Sequence, residues 1–407
     1  MYPVTRGENM SSYQLNLTNT ETKKFKWIVI LLGIIGITSF YDNLIENPIF
    51  YYLKYVSVVL FFFVIWSEKK HKINWSAYRG LAFISILITS SLHLFSVPSD
   101  GVITSIFYVI LIWFLSFGII YLFPYLNEKE FLLITTFFLI CTYTLAVLPS
   151  LITMNNSSYF YLVGDRYRFL GIFNNPNDLS RFSLLVILLS LRLFTVYKSV
   201  VIRIIFLLMI SSSFIIINLT DARSGLLTGS LAVLLYILIT FIFYRLPTLI
   251  KLFLGFALSA TLIFIMFYFL NTINIGSYNF NDISSGRLEI WMNAIDANIF
   301  QQLFGQGQAS RIIMASGYIE IIRYFGFVGL FIWLIVILIL LVRKILSAIS
   351  NPSSNEYFGI GVILLFLFFY IFEGGMLSFG NIASLYFWIE LTKTTIATND
   401  KKQKNKI

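Results

Sequence analysis

From Trp27 nearly to the C-terminus, apolar runs of about 18 to 24 residues follow one another, each long enough to cross a roughly 30 Å hydrocarbon core as a helix. The links between them leave no room for a soluble domain. Of 407 residues, 58% are hydrophobic and 12% charged, a balance that a water-soluble domain of this length does not keep. The sequence therefore predicts an all-α integral membrane protein. The first run follows "KKFKW" without a small-residue cleavage site after it, so it reads as a retained span rather than a signal peptide.

Spans are expected near 25–41, 49–66, 77–96, 101–124, 131–152, 179–197, 200–218, 224–243, 248–270, 317–342, 357–373 and 378–395, about twelve in all. Residues 25–395 then form one polytopic domain between a cytoplasmic tail, 1–24, and a basic cytoplasmic tail, 396–407. Lys23, Lys24 and Lys26 set the N-terminus inside, and the lysine-bearing links "SEKKHKINW", "YKSVVIR", "YRLPTLIK" and "VRKILSAISNPSSNEY" recur on that side. Lys54, in the outer half of the second span, is the exception. The net charge of +10 thus follows from orientation, and no nucleic-acid partner is implied. A single cysteine, Cys141, excludes an intramolecular disulfide.

Parity puts two long links outside, residues 153–178 and 271–316, and links of more than about 15 residues in a compact protein are usually functional or unstructured. In the second link, "SGRLEIWMNAIDANIFQQLFGQG" places Leu288, Trp291, Met292, Ile295 and Ile299 on one helical face and Glu289, Asn293 and Asp296 on the other. That pattern suits a helix lying on the outer leaflet, or one packed on the core of the loop itself.

Basic residues should be scarce outside, yet Arg166, Arg168, Arg181, Arg223, Arg287 and Arg311 all fall there, and no lysine does. The guanidinium fork matches phosphate or carboxylate bidentately, so the choice of arginine points to a bound anion. In "NPNDLSRF", Asn177 or Asp178 is a candidate N-cap for the sixth span, leaving Arg181 near its first turn. In "LTDARSGLL", Thr220 or Asp221 fills the same role for the eighth, with Arg223 beside it. Each cation sits where the helix dipole disfavours it unless something negative binds. Local neutralisation by Asp178 and Asp221, or by lipid head groups, is the alternative. In the tenth span Glu320 and Arg323, three residues apart, are spaced to pair on one face.

His71 and His93 have no partner at metal-ligand spacing, and "FGQGQAS" lacks the strand, helix and third glycine of a dinucleotide loop. No metal or cofactor is expected. A substrate met outside must bring its own activation, as a lipid diphosphate does.

Four blocks, "RFLGIFNNPNDLSRF", "TDARSGLLTG", "SGRLEIW…LFGQG" and "GYIEIIRYFGFVGL", resemble in content and order those of the bacterial O-antigen ligase and polymerase family of Wzy-type proteins, over roughly residues 160–345. The resemblance implies a multi-spanning, metal-independent glycosyltransferase. Its donor and acceptor would be undecaprenyl-diphosphate-linked oligosaccharides at the outer face of the bacterial plasma membrane, with a chain-length regulator and a flippase as further partners. Carried over by residue, the resemblance matches Arg168 and Gly171, the turn of Asn175, Pro176 and Asn177, and Arg223 and Arg287. Ligases of the family carry a histidine about ten residues before the glycine pair that here is Gly326 and Gly329; this chain has Ala315 and Ser316 there. That departure favours a repeat-unit polymerase for O-antigen, capsule or a related surface polysaccharide.

On this reading Arg168, Arg181, Arg223 and Arg287 hold the donor diphosphate, and Asp178, Asp221 and Glu320 are three candidate bases among which the sequence does not choose. Tyr159, Tyr161, Tyr278 and Trp291 are placed to lie against sugar rings. A ligase acting on finished polymer is the second reading. A twelve-span saccharide flippase or transporter is the third, disfavoured by charge gathered at one face.

Overall fold

The computed structural model describes residues 27–38 (without 29 and 36), 48–69, 73, 77–95, 102–126, 128–163, 166–242, 290–292, 298–306, 316–350, 353–377 and 381–393. The span expected at 248–270, both tails, Arg287, Arg311 and Tyr278 lie outside them.

The described chain is almost wholly helical: α1 (Pro48–Lys69), α2 (Ala77–Leu92), α3 (Val102–Phe117), α4 (Glu128–Thr153), α5 (Pro176–Phe194), α6 (Val200–Leu219), α7 (Arg223–Ile237), α8 (Ile299–Phe304), α9 (Gly317–Ser350), α10 (Ser354–Phe372) and α11 (Ile382–Thr392). Six helical stretches among the described residues are long and apolar enough to cross a membrane: Ser105–Tyr125, Glu128–Thr153, Val200–Leu219, Arg223–Thr240, Gly317–Ser350 and Asn355–Phe372. The protein is therefore a multi-pass helical membrane protein, with about six candidate spans among the described residues where about twelve were expected over the whole chain. Shorter apolar helices at Tyr55–Ser67, Arg79–Leu92 and Ile382–Thr392 fall within three further expected positions.

Helix α5 is the axle. Every residue from Phe182 to Leu193 is buried, the mark of a helix enclosed on all sides rather than facing lipid along one stripe. It packs against α4, α6, α7 and α10, and α9 packs against α2, α10 and α11. Its start is fixed by Asn175, whose side chain accepts from the Asn177 N–H at 2.9 Å, and by Pro176 at the first position, where a missing N–H does no harm. The cap is thus two residues before the expected Asn177 and three before Asp178, because Pro176 can open a helix. At α7 the N-cap is Ala222, with no side-chain cap, in place of the expected Thr220 or Asp221. Thr220 instead ends α6, and Asp221 takes the turn with φ 49, a left-handed conformation that aspartate tolerates better than most residues.

The first long link is not all loop. Phe160–Val163 (β1) and Arg166–Phe169 (β2) pair antiparallel, with Phe160 opposite Phe169 and Tyr161 opposite Arg168. Phe169 is fully buried and its ring lies 5.0 Å from that of Phe160, which anchors the hairpin on the bundle.

Candidate functional site

One end of the bundle gathers the N-termini of α5, α7 and α9, the C-termini of α6 and α10, and the β hairpin. Arg168, on β2, reaches across it. Its Nε donates to the Thr220 carbonyl at 2.9 Å and its Nη2 to Asn177 Oδ1 at 2.7 Å, so one guanidinium ties the last residue of the α6 turn to the first turn of α5. This is a use of the planar fork that lysine could not copy. Gly171 turns the chain between hairpin and α5 with φ 57, and a Cβ there would strike Ser150 and come within 2.8 Å of Leu179 Cδ2. Only glycine fits both the dihedral and the space.

Arg181 lies one turn into α5, paired with Asp178 at 3.3 Å. Its side chain is 13% exposed, and the carboxylates of Glu373 and Glu320 also act on it. Glu320 was expected to pair with Arg323; its Oε2 instead accepts from the Gly375 N–H at 2.5 Å, and the cation acting on it is Arg181. The backbone of Arg323 is engaged elsewhere: its carbonyl accepts from Gln306 N at 2.6 Å. Glu373, which the sequence reading passed over, is buried and accepts from Ser224 Oγ at 3.1 Å. Arg223, next to Ser224, is exposed at the open start of α7.

Two sequence blocks that are 20 residues apart in the chain lock together beneath this layer. Gly326 breaks α9 with φ 69 and ψ −176, a conformation restricted to glycine, and Gly305 after α8 has φ 92. A Cβ on Gly326 would collide with the Leu303 carbonyl, and one on Gly305 with the Tyr324 carbonyl. The backbones of Leu303–Gly305 and Tyr324–Gly326 are thus in direct contact. Of the segment expected to form an amphipathic helix, with Leu288 to Ile299 on its apolar face, the described pieces are Ile290–Met292 and 298–306, which holds α8; α8 packs on α9, while Met292 and Ile299 are 62% and 71% exposed.

The structure therefore brings together Arg168, Gly171, Asn175, Pro176, Asn177, Asp178, Arg181, Asp221, Arg223 and Glu320 at one end, and adds Glu373 and Ser224. Arg287 lies outside the described residues. The arrangement offers an exposed arginine on a helix N-terminus, with the buried Glu373 and the half-buried Asp178, Asp221 and Glu320 at the same end. Helix N-termini of this kind suit anions, and carboxylates are the usual groups for proton transfer. Among the described residues no group of three or more His, Cys, Asp or Glu is placed to hold a metal.

Residues 204–325 match the sequence model of the family described as O-antigen ligase. No curated protein matches the chain. A solved chain from work on a peptidoglycan synthase complex that coordinates polymerization and crosslinking is similar over 79% of this chain and 97% of its own, at 15% identity and a TM-score of 0.39. The matched segment runs from within α6 through the Asp221–Ser224 corner and Arg287 to Phe325, one residue short of Gly326, so this multi-pass protein carries an O-antigen ligase family domain over residues 204–325, a family that implies membrane glycosyltransferase activity on lipid-linked saccharides.

Proposed function

We propose that this protein polymerises undecaprenyl-diphosphate-linked oligosaccharide repeat units into a surface polysaccharide at the outer face of the bacterial plasma membrane, with both termini cytoplasmic and without a metal. The observation that carries the reading is Arg223: an exposed guanidinium at a helix start whose N–H groups no side chain caps. That end binds a diphosphate twice over, through the free N–H groups and through the fork. Arg287 is the second diphosphate ligand in this reading. Arg168 and Arg181 hold the wall behind them, Arg168 by its clasp on Thr220 and Asn177, Arg181 by its pairing with Asp178.

Leaving-group stabilisation by arginine is the chemical core of the proposal. As the anomeric C–O bond to phosphate breaks, negative charge grows on the diphosphate, and prepositioned cations lower that barrier without a metal ion. Polymerase is favoured over ligase by residues 315–316. Where ligases of the family carry histidine, this chain has Ala315 and Ser316, and the Ser316 hydroxyl is buried and donates to the Tyr370 carbonyl at 3.3 Å. That position supplies no base. In cells, Arg223→Ala should leave single repeat units on the surface in place of long polymer, at unchanged protein level. Long chains in that strain would sink the diphosphate reading, and finished polymer that stays lipid-linked would favour the ligase.

A further inference from the structure

At the end of α5 away from the candidate site, buried charges do not cancel. Around the last turn of α11 three buried cations, Arg192, Lys344 and Lys393, stand with two buried acids, Glu390 and Glu356, and the other four all act on the charge of Lys393. Glu390 is fully committed. Its Oε1 meets Arg192 Nη2 at 3.3 Å and Lys344 Nζ at 2.9 Å, and its Oε2 accepts from Tyr386 at 3.0 Å. Lys344 is saturated as well, because its remaining protons go to the carbonyls of Glu390 at 2.7 Å and Lys393 at 3.0 Å.

Donors are left over on the other two cations. Arg192 Nη1 is bonded to Asn355 and Nη2 to Glu390, while Nε is buried with no hydrogen-bond partner among the described residues. The Lys393 ammonium makes no hydrogen bond or ion pair among them either; it stands 4.1 Å from the centre of the Phe131 ring. The Arg192 guanidinium carbon lies 5.4 Å from the same centre. The two like charges repel, and burial raises that cost because little water screens them.

Arg192, Lys393 and Phe131 line one cavity of about 20 Å³, with Asn355, Thr135 and Glu128. That volume takes one water-sized particle and is too small for a phosphate or a carboxylate. Its polar lining is mostly protons. Arg192 and Lys393 only donate, Asn355 Oδ1 is already taken by Arg192, and the Thr135 hydroxyl donates to the Phe131 carbonyl at 2.8 Å. Glu128 is exposed, so water screens its charge. A water in this cavity must give protons away, whereas a monatomic anion accepts them from both cations and offsets the surplus charge.

We propose that this cavity binds one halide, chloride in the cell, with the Lys393 ammonium and the Arg192 guanidinium as its cations. The ion ties α4, α5 and the start of α10 to the end of α11. In the proposed orientation this end faces the cytoplasm, so cytosolic chloride fills the site. The inference stands whether or not Arg223 holds a diphosphate.

The test melts the full chain in lipid nanodiscs, in the sodium salts of chloride, bromide, gluconate and methanesulfonate at one ionic strength. Chloride at about 100 times its Kd should raise the melting midpoint by about 3 °C over gluconate, saturably, with bromide equivalent and methanesulfonate without effect. Lys393→Met, which keeps an apolar chain on Phe131 and removes the charge, should melt alike in all four salts. In crystals of the parent grown in bromide, an anomalous peak should stand in the cavity. Equal midpoints of the parent in chloride and gluconate overturn the proposal and leave the cavity to a water. A rise in methanesulfonate equal to that in chloride overturns it too, since that ion does not fit. Chloride dependence kept by Lys393→Met removes the site from this cavity. If that variant does not fold, the bromide map decides, and a cavity without a peak overturns the proposal.

Discussion

Two arginines that look alike in the sequence do different work. Arg168 spends its guanidinium on the Thr220 carbonyl and Asn177, joining two helix ends, whereas Arg223 is exposed and stands at an uncapped start. Removing the first should cost stability and removing the second should not. Arg168→Ala is expected to lower unfolding stability by about 2 kcal/mol, the scale of hydrogen bonds from a charged donor, and Arg168→Lys should not restore it. Arg223→Ala should stay within about 0.5 kcal/mol of the parent while activity is lost. Thermal melts of both proteins in detergent, beside a polymer assay, check the contrast. Glycine 171 gives a third residue-scale expectation: with φ 57 and no room for a Cβ, Gly171→Ala should destabilise by about 1–3 kcal/mol, again read from the melt.

Helix α5 links two buried charge clusters, and only one belongs to the site. Near its other end, Arg192 meets Glu390 of α11 at 3.3 Å, and Lys344 of α9 meets the same carboxylate at 2.9 Å, with side chains almost wholly enclosed. Arg192 also donates to Asn355 at the start of α10. Eleven residues of helix, about 16 Å, separate Arg192 from Arg181. Replacing one member leaves charges buried without a partner, so Glu390→Gln should cost about 3–5 kcal/mol, measured by chemical denaturation or by loss of folded yield. This network was absent from the sequence reading for a physical reason: Arg192 and Glu390 are 198 residues apart, and no spacing rule encodes such a pair. The helices themselves were legible, since length and hydropathy are properties of one segment. The hairpin was not legible, although "FYLV" and "RYRF" flank Gly164 and Asp165, because strands of four residues carry too little alternation to stand out between apolar spans. The caps moved by one to three residues because Pro176 can occupy a first turn and Asp221 can adopt positive φ. Glu373 carried a faint signal, an acid just before Gly374 and Gly375 at the end of an apolar run. Its bond to Ser224 crosses 149 residues, and so only the fold shows it.

At the scale of the molecule, an enclosed helix with helices packed around it holds one polar end where several helix termini meet a hairpin. Glycines 305 and 326 press α8 against a break in α9, which ties the long second link to the bundle beside that end. The family domain spans this arrangement from residue 204 to 325, while Arg168, Arg181 and Glu373 come from outside it. The site is thus completed by parts of the chain on both flanks of the matched segment. The central claim is that Arg223, at the open start of α7, holds a lipid diphosphate while repeat units are joined. The most direct measurement is reconstitution of the purified protein with one lipid-linked repeat unit, with products resolved by size. We expect the parent to yield a ladder of polymer lengths and folded Arg223→Ala to return the unit unextended; a ladder from Arg223→Ala, or no extension by the parent, would contradict the account.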